Sequence, residues 1–226
     1  MTTAVPPART AGGPFAVRRL TRAEDGETLH GLLWHAGPGW RMISSAVLGG
    51  GIGERSWVLN AQVSHGYRRT DPEAHLADLA RDAGVRGPGV GLMTAADVRT
   101  FGRAHDDGVD AVVTAGLGVR GWAASAAGGS ATTPAPGTVN IVVAVPAALT
   151  DAALVNAVAT ATEAKVQALL DAGYDCSGTP TDAVCVAARV PRPGDEVHAF
   201  AGPRSIWGAR AARAVHRAVR AAAPGP

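Results

Sequence analysis

One stretch constrains the fold of this chain more than any other: Gly137 to Arg189, GTVNIVVAVPAALTDAALVNAVATATEAKVQALLDAGYDCSGTPTDAVCVAAR. It reads as a buried strand, a long helix, a polar loop and a second buried strand. Within the helix, Asn156, Thr160, Glu163 and Gln167 are spaced four, three and four residues apart. At ~100° per residue they fall within about 60° of one another on one face. The opposite stripe, Val155, Val158, Thr162, Val166 and Leu169, is expected to pack on the core. A row of amide, hydroxyl and carboxylate groups, where surface helices usually carry Lys and Glu, predicts the wall of a polar site.

The remainder of the chain alternates in the same way. Residues 27–36 and 57–63 have strand character, and Thr70-Asp71-Pro72-Glu73 opens a helix that stops at Gly84. Val90–Met93 is a short apolar strand. Thr94-x-x-Asp97 then resembles a capping box and predicts a helix to about His105. Residues 110–114, 139–145 and 182–188 are buried strands, Thr150 caps the long helix, and a last helix runs from about Ser205 to Ala222. This alternation indicates an α/β fold: a single layered domain with a mixed β-sheet flanked by helices. Residues 1–14, rich in Pro, Ala and Gly, are expected to be a disordered tail, leaving 15–226 as the domain. Residues 121–136, GWAASAAGGSATTPAP, read as a mobile loop, or a lid if they lie beside a site.

Composition excludes several classes. At 226 residues, 46% hydrophobic and 18% charged, the chain has room for one sizeable core. No apolar run approaches the ~18 residues of a membrane helix, and the first residues lack a signal-peptide core. Two cysteines, 176 and 185, are too few for a disulfide framework or a tetrahedral zinc site, so a cytoplasmic location is expected. The seven histidines show no metal-ligand spacing. Net charge is +2, and the stripe of Arg210, Arg213, Arg217 and Arg220 reads as a solvated helix face, so no nucleic-acid partner is expected. Trp122, at the mouth of the low-complexity loop, suits a wall against a bulky ligand. Core or subunit contact is the default for the other tryptophans, and a homo-oligomer stays open.

Two loops invite chemistry. Leu48-Gly-Gly-Gly-Ile-Gly53 lacks the Lys-Ser/Thr of a phosphate loop and reads as a tight turn after Ser44-Ser45. Gly178-Thr179-Pro180-Thr181-Asp182 sets two hydroxyls and a carboxylate at a strand entrance, enough to orient a water and accept its proton. An ordinary capped turn fits the same residues. Cys176, with no histidine near it in sequence, reads as a bystander.

In order along the chain stand Ser44-Ser45-Ala-x-Leu-x-Gly-Gly, Trp57-Val-Leu-Asn60, Val90-Gly-Leu-Met-Thr-Ala-Ala-Asp97-Val and Val113-Thr-Ala-Gly116. They are followed by Gly137-Thr-Val-Asn140-Ile, Leu154-Val-Asn156-Ala-Val-x-Thr160-Ala-Thr-Glu163-Ala-Lys165, Gly178-Thr-x-Thr-Asp182-Ala and Ala201-Gly-Pro203. This ordered set resembles the adenosylcobinamide amidohydrolases. Pro180 departs from the pattern, where a small polar residue is expected.

The resemblance implies cleavage of the amide joining the corrin propionyl arm to aminopropanol, releasing adenosylcobyric acid and 1-amino-2-propanol for cobalamin salvage. Complete cobamides with a non-cognate base are substrates of some members. Cobalt then belongs to the corrinoid substrate, with no cofactor or metal held by the protein. Asp182 or Glu163 is expected as the general base, with Thr179, Thr181 and nearby backbone N–H groups stabilising the oxyanion. Asn60, Asn140, Asn156 and Gln167 are expected to pair with corrin carboxamides, and Ser44, Ser45, Asp97, Thr160 and Trp122 complete the binding set. Lys165, two residues from Glu163, points to another helix face and stands outside this set as a candidate for protonating the leaving amine. The competing expectation is a non-catalytic corrinoid or nucleotide carrier using the same amide-rich cleft.

Overall fold

The computed structural model describes residues 15–125, 137–223 and 225. The expected tail, 1–14, and most of the expected loop, 126–136, lie outside them. A hairpin comes first: β1 (Val17–Glu24) pairs antiparallel with β2 (Glu27–Trp34). Its two-residue turn, Asp25-Gly26, has both residues at positive φ (52° and 79°), the geometry whose twist matches that of the strands it joins. β3 (Trp40–Ser44) and β4 (Gly51–Glu54) form a second hairpin through the Gly-rich turn, followed by β5 (Val58–Gln62), α1 (Pro72–Asp82) and β6 (Val90–Thr94). β7 (Gly102–Asp106) and β8 (Val109–Gly116) close on another Asp-Gly turn, Asp107-Gly108. Then come β9 (Thr138–Leu149), α2 (Asp151–Asp171), β10 (Ala183–Arg189), β11 (Val197–His198) and α3 (Ile206–Ala222).

The α/β class and the flanking helices are as expected, with the strands shared between two sheets. One has the order β1-β2-β5-β6, the other β4-β3-β10-β9-β8-β7, with β11 added on β9. Both are mixed, because β5 runs parallel to β6 and β9 runs parallel to β10. The latter pair and α2 between them make a strand–helix–strand crossover. Three apolar clusters define the layers. Leu33, Leu59 and Leu76 fill the space between α1 and the smaller sheet. Trp34, Trp40, Val58, Val142 and Cys185 lie between the sheets. Val139, Ile141, Val143 and Val145 pack against Leu154, Leu169 and Val215 of α2 and α3. Alternate residues of β9 thus face opposite layers, as the period of two requires.

Two sequence expectations are corrected. Residues 95–101 form bends and turns and 102–106 form β7, where a helix from Thr94 to His105 was expected. The Asp107-Gly108 turn pairs this run with β8, and the ladder overrides local helical spacing. On α2, the buried residues are Ala153, Leu154, Ala157, Thr160, Ala161, Ala164, Lys165, Ala168 and Leu169. Of the valine-rich stripe only Leu169 is buried, while Val155 is 56% exposed. Alanines let α2 lie close to the sheet and to α3, so the inward face is the one with the smallest side chains rather than the most hydrophobic ones.

Candidate active site

The loop between α2 and β10 holds the densest polar cluster around a titratable group. Asp182, one residue before β10, accepts four hydrogen bonds. Val139 N–H (2.8 Å) and the Thr179 hydroxyl (2.5 Å) donate to Oδ1; Lys165 Nζ (2.5 Å) and Thr179 N–H (3.2 Å) donate to Oδ2. The four lone-pair directions of the carboxylate are thereby filled. Lys165 and Asp182 side chains are 9% and 12% exposed, a largely desolvated ion pair in which each charge depends on the other. The Thr179 hydroxyl also lies 2.8 Å from Gly137 O, and its single proton favours the charged acceptor. Thr181 and Thr138 hydroxyls are 2.6 Å apart, and Thr181 reaches Gly137 O at 3.0 Å. The start of β9 therefore supplies a carbonyl, a hydroxyl and an N–H to one loop.

Lys165, Thr179 and Asp182 of this cluster, though not Thr181, line a cleft of about 960 Å³, near the upper end for small-molecule sites. Its opposite wall is the segment after β8. Gly121 N–H donates to Gly178 O and Ser177 N–H donates to Gly121 O, both at 3.0 Å, and Ala123 N–H bonds Ser177 Oγ at 2.7 Å. That strap sets Trp122, 44% exposed, on the rim of the same cleft as Lys165, Thr179 and Asp182. Gly178 is required at the strap: its φ is +152°, and a Cβ there would stand 2.2 Å from Asp182 Oδ2 and 2.6 Å from Lys165 Nζ.

Other residues singled out from the sequence are placed elsewhere. Glu163, Thr160 and Gln167 line a separate groove of about 260 Å³ between α2 and α3, with Arg213 and His216, so the two carboxylates do not share a cleft. Asn156 Oδ1 accepts from Ala201 N–H at 3.2 Å and Thr160 donates to Ala201 O at 2.9 Å, which ties down the chain entering α3. Ser44 donates to Val184 O and Ser45 Oγ accepts from Val184 N–H, fastening the end of β3 to β10 two residues from Asp182. Asp97 is held by Arg99 at 2.7 Å, and that hydrogen bond lowers its pKa.

Asn60 and Asn140 meet in the buried space between the sheets. Asn60 Nδ2 donates to Thr114 Oγ1 and Asn140 Nδ2 donates to Asn60 Oδ1, each at 2.9 Å, while Asn140 Nδ2 also reaches Met93 O at 3.1 Å. Five of the motif residues, Ser44, Ser45, Asn60, Thr114 and Asn140, thus brace strands around the cluster rather than line the cleft.

Sequence reasoning kept Lys165 only as an outside candidate for protonating the leaving amine, carried Thr138 and Gly178 only inside longer motifs, and did not single out Ser177. The signal for Lys165 was its spacing from the buried alanines: Ala157, Ala161, Ala164 and Ala168 put position 165 on the inward side. Cys185, buried between the sheets, has its thiol pushed up to about 12 by burial, which makes it inert as a nucleophile. Among the described residues no group of three or more His, Cys, Asp and Glu is placed to hold a metal ion, and no helix is long and apolar enough to cross a membrane.

Known proteins agree in their similarity. An adenosylcobinamide amidohydrolase from Methanosarcina mazei is 36% identical over 143 residues, 63% of this chain and 67% of that one. Another, from Halobacterium salinarum, is 48% identical over 87 residues, 38% of this chain and 36% of its own length. The crystal structure of the PH0078 protein from Pyrococcus horikoshii OT3 covers 91% of this chain and 82% of that one at a TM-score of 0.47 and 13% identity, too distant to bear on the site. The family described as adenosylcobinamide amidohydrolase matches residues 16–224, nearly the whole described fold, and the chain belongs to that family.

Proposed function

We propose that this protein hydrolyses the amide linking the corrin propionyl arm to aminopropanol in adenosylcobinamide, releasing adenosylcobyric acid and 1-amino-2-propanol, in the cleft over Asp182. One observation carries the chemistry: the Thr179 hydroxyl stands 2.5 Å from Asp182 Oδ1 on the wall of that cleft. Because the other three lone-pair directions of Asp182 are filled, the oxygen it is placed to deprotonate is the one already bonded to it. Thr179 Oγ1 is then the nucleophile and Asp182 its base, and water clears the resulting ester.

Selectivity is the harder task, since a corrinoid carries several primary carboxamides besides the one secondary amide to be cut. Trp122 on the rim offers a flat apolar surface to the macrocycle. Thr162 and Ser125, on the same cleft, donate their protons to Val158 O and Trp122 O and so offer hydroxyl oxygens as acceptors to its amide arms. Complete cobamides carry the same linkage, so their hydrolysis belongs to the same reading. Cobalt is part of the substrate and no protein-held cofactor enters. Family membership supports catalysis over a carrier role, and imported corrinoids are the natural supply for such a reaction.

Incubation with adenosylcobinamide and mass spectrometry tests this. Free aminopropanol and adenosylcobyric acid are expected with the intact protein, and Thr179→Ser should retain turnover that Thr179→Ala loses. A corrinoid that binds and is returned unchanged would make the protein a carrier.

A further inference from the structure

The nucleophile and its base leave two demands of amide hydrolysis unmet: the carbonyl oxygen gains charge as the tetrahedral intermediate forms, and the amine must take up a proton before it departs. The backbone N–H groups of Thr179 and Val139, nearest to the cluster, already donate to Asp182. Thr181 points its hydroxyl at Gly137 O. Lys165 Nζ is different. It has three protons, and among the described residues its hydrogen bond goes to Asp182 Oδ2 alone. Two N–H bonds remain, on a side chain that belongs to the cleft wall. The space beside it is kept clear by Gly178, whose missing Cβ would lie 2.6 Å from Nζ.

We infer that Lys165 is the electrophilic and proton-donating residue of this site, a role that rests on the amidohydrolase reading given above. Thr179 Oγ1 forms its bond to the carbonyl carbon while its proton passes to Asp182, and Lys165 Nζ hydrogen-bonds the developing oxyanion. As the C–N bond breaks, Nζ transfers a proton to the departing nitrogen and is left neutral. Neutral Nζ then takes the proton of the water that attacks the ester, while Asp182 returns its own proton to Thr179 Oγ1. One turnover restores all three groups, consumes one water and needs no other reactant. The 2.5 Å contact with Asp182 holds the amine beside the base of the proposed nucleophile.

The test compares corrinoid amides whose leaving amines differ in basicity, from aminopropanol down to a weakly basic fluorinated alkylamine. With the intact protein the rate should change less than about threefold across the series, because the nitrogen leaves protonated. Lys165→Met should lose at least ~100-fold on the aminopropanol amide and much less on the weakly basic one, with Lys165→Arg between them. A steep dependence on amine basicity in the intact protein overturns the inference even if Lys165→Met fails to fold. So does a folded Lys165→Met within about threefold of the intact protein on every amide. An intact protein that cleaves none of them removes the amidohydrolase reading itself, and this inference with it.

Discussion

Gly178 and Asp182 approach so closely that a methyl group on the first would stand 2.2 Å from Oδ2 of the second. Gly178→Ala must therefore displace either the carboxylate or the strap that runs through Gly121. Overpacking of this kind costs about 1–3 kcal/mol, and the φ of +152° adds strain. Chemical denaturation should show a loss in that range, accompanied by a larger relative fall in amide hydrolysis, since the cluster around Asp182 is what moves. Unchanged stability together with unchanged turnover would mean that the loop is slack.

Acid sensitivity should come in part from the far side of the molecule. Arg213 and Arg217 of α3 hydrogen-bond Asp106 at the end of β7 and hold its carboxyl to about 2, below the ordinary 3.8. As pH falls the unfolded chain takes up the proton first, so the stabilisation is present above about pH 4 and disappears between there and about pH 2. The two guanidinium groups are about half exposed, which screens the effect to roughly 1 kcal/mol. Asp106→Asn should lower neutral-pH stability by that amount and flatten this part of the stability–pH curve, as followed by denaturant midpoints. A variant whose acid limb superimposes on that of the parent would assign the sensitivity elsewhere.

What could be read from the sequence was what periodicity and punctuation encode. Pro72, Thr150 and Ser205 mark the starts of three helices, and Ser205 and Thr150 do accept N–H bonds from Gly208 and Ala153. β9 and β10 announce themselves as continuous apolar runs because both faces of each are covered. β1 and β7 were missed because their outer faces are charged, although Asp25-Gly26 and Asp107-Gly108 carried the hairpin signal. The division into two sheets lies in long-range pairing, which no local window contains. Of the candidate cluster, Thr179, Thr181 and Asp182 could be read from one loop. The polar face of α2 lies apart from that cluster, with Asn156 and Thr160 serving the chain before α3, whereas Lys165 hides among alanines that give periodicity little weight.

The amide bridge between the sheets makes its own prediction. Asn60 bonds Thr114 and Asn140, and Asn140 Oδ1 has no hydrogen-bond partner among the described residues. Asn60→Ala would leave further buried groups unpaired, at about 1–3 kcal/mol. The loss should appear in denaturant unfolding with the affinity for corrinoid nearly unchanged, because this pair lies between the sheets. A large loss of affinity at constant stability would instead bring the inter-sheet space into the binding site.

The two carboxylates offer the sharpest separation. Asp182 is bonded to the proposed nucleophile and to Lys165, whereas Glu163 is exposed on a groove shared with α3. Asp182→Asn keeps the shape but replaces one acceptor oxygen by a donor facing Lys165 or Thr179, so hydrolysis should fall by at least ~100-fold. It should also destabilise the fold by about 3 kcal/mol, since Lys165 would be left buried without its counter-ion. Glu163→Gln should stay within about twofold of the parent in both turnover and stability, as surface substitutions usually do. Steady-state rates on adenosylcobinamide with parallel unfolding curves decide the matter. Equal losses at the two positions would join the two grooves into one functional surface, and an active Asp182→Asn would move the base away from this loop.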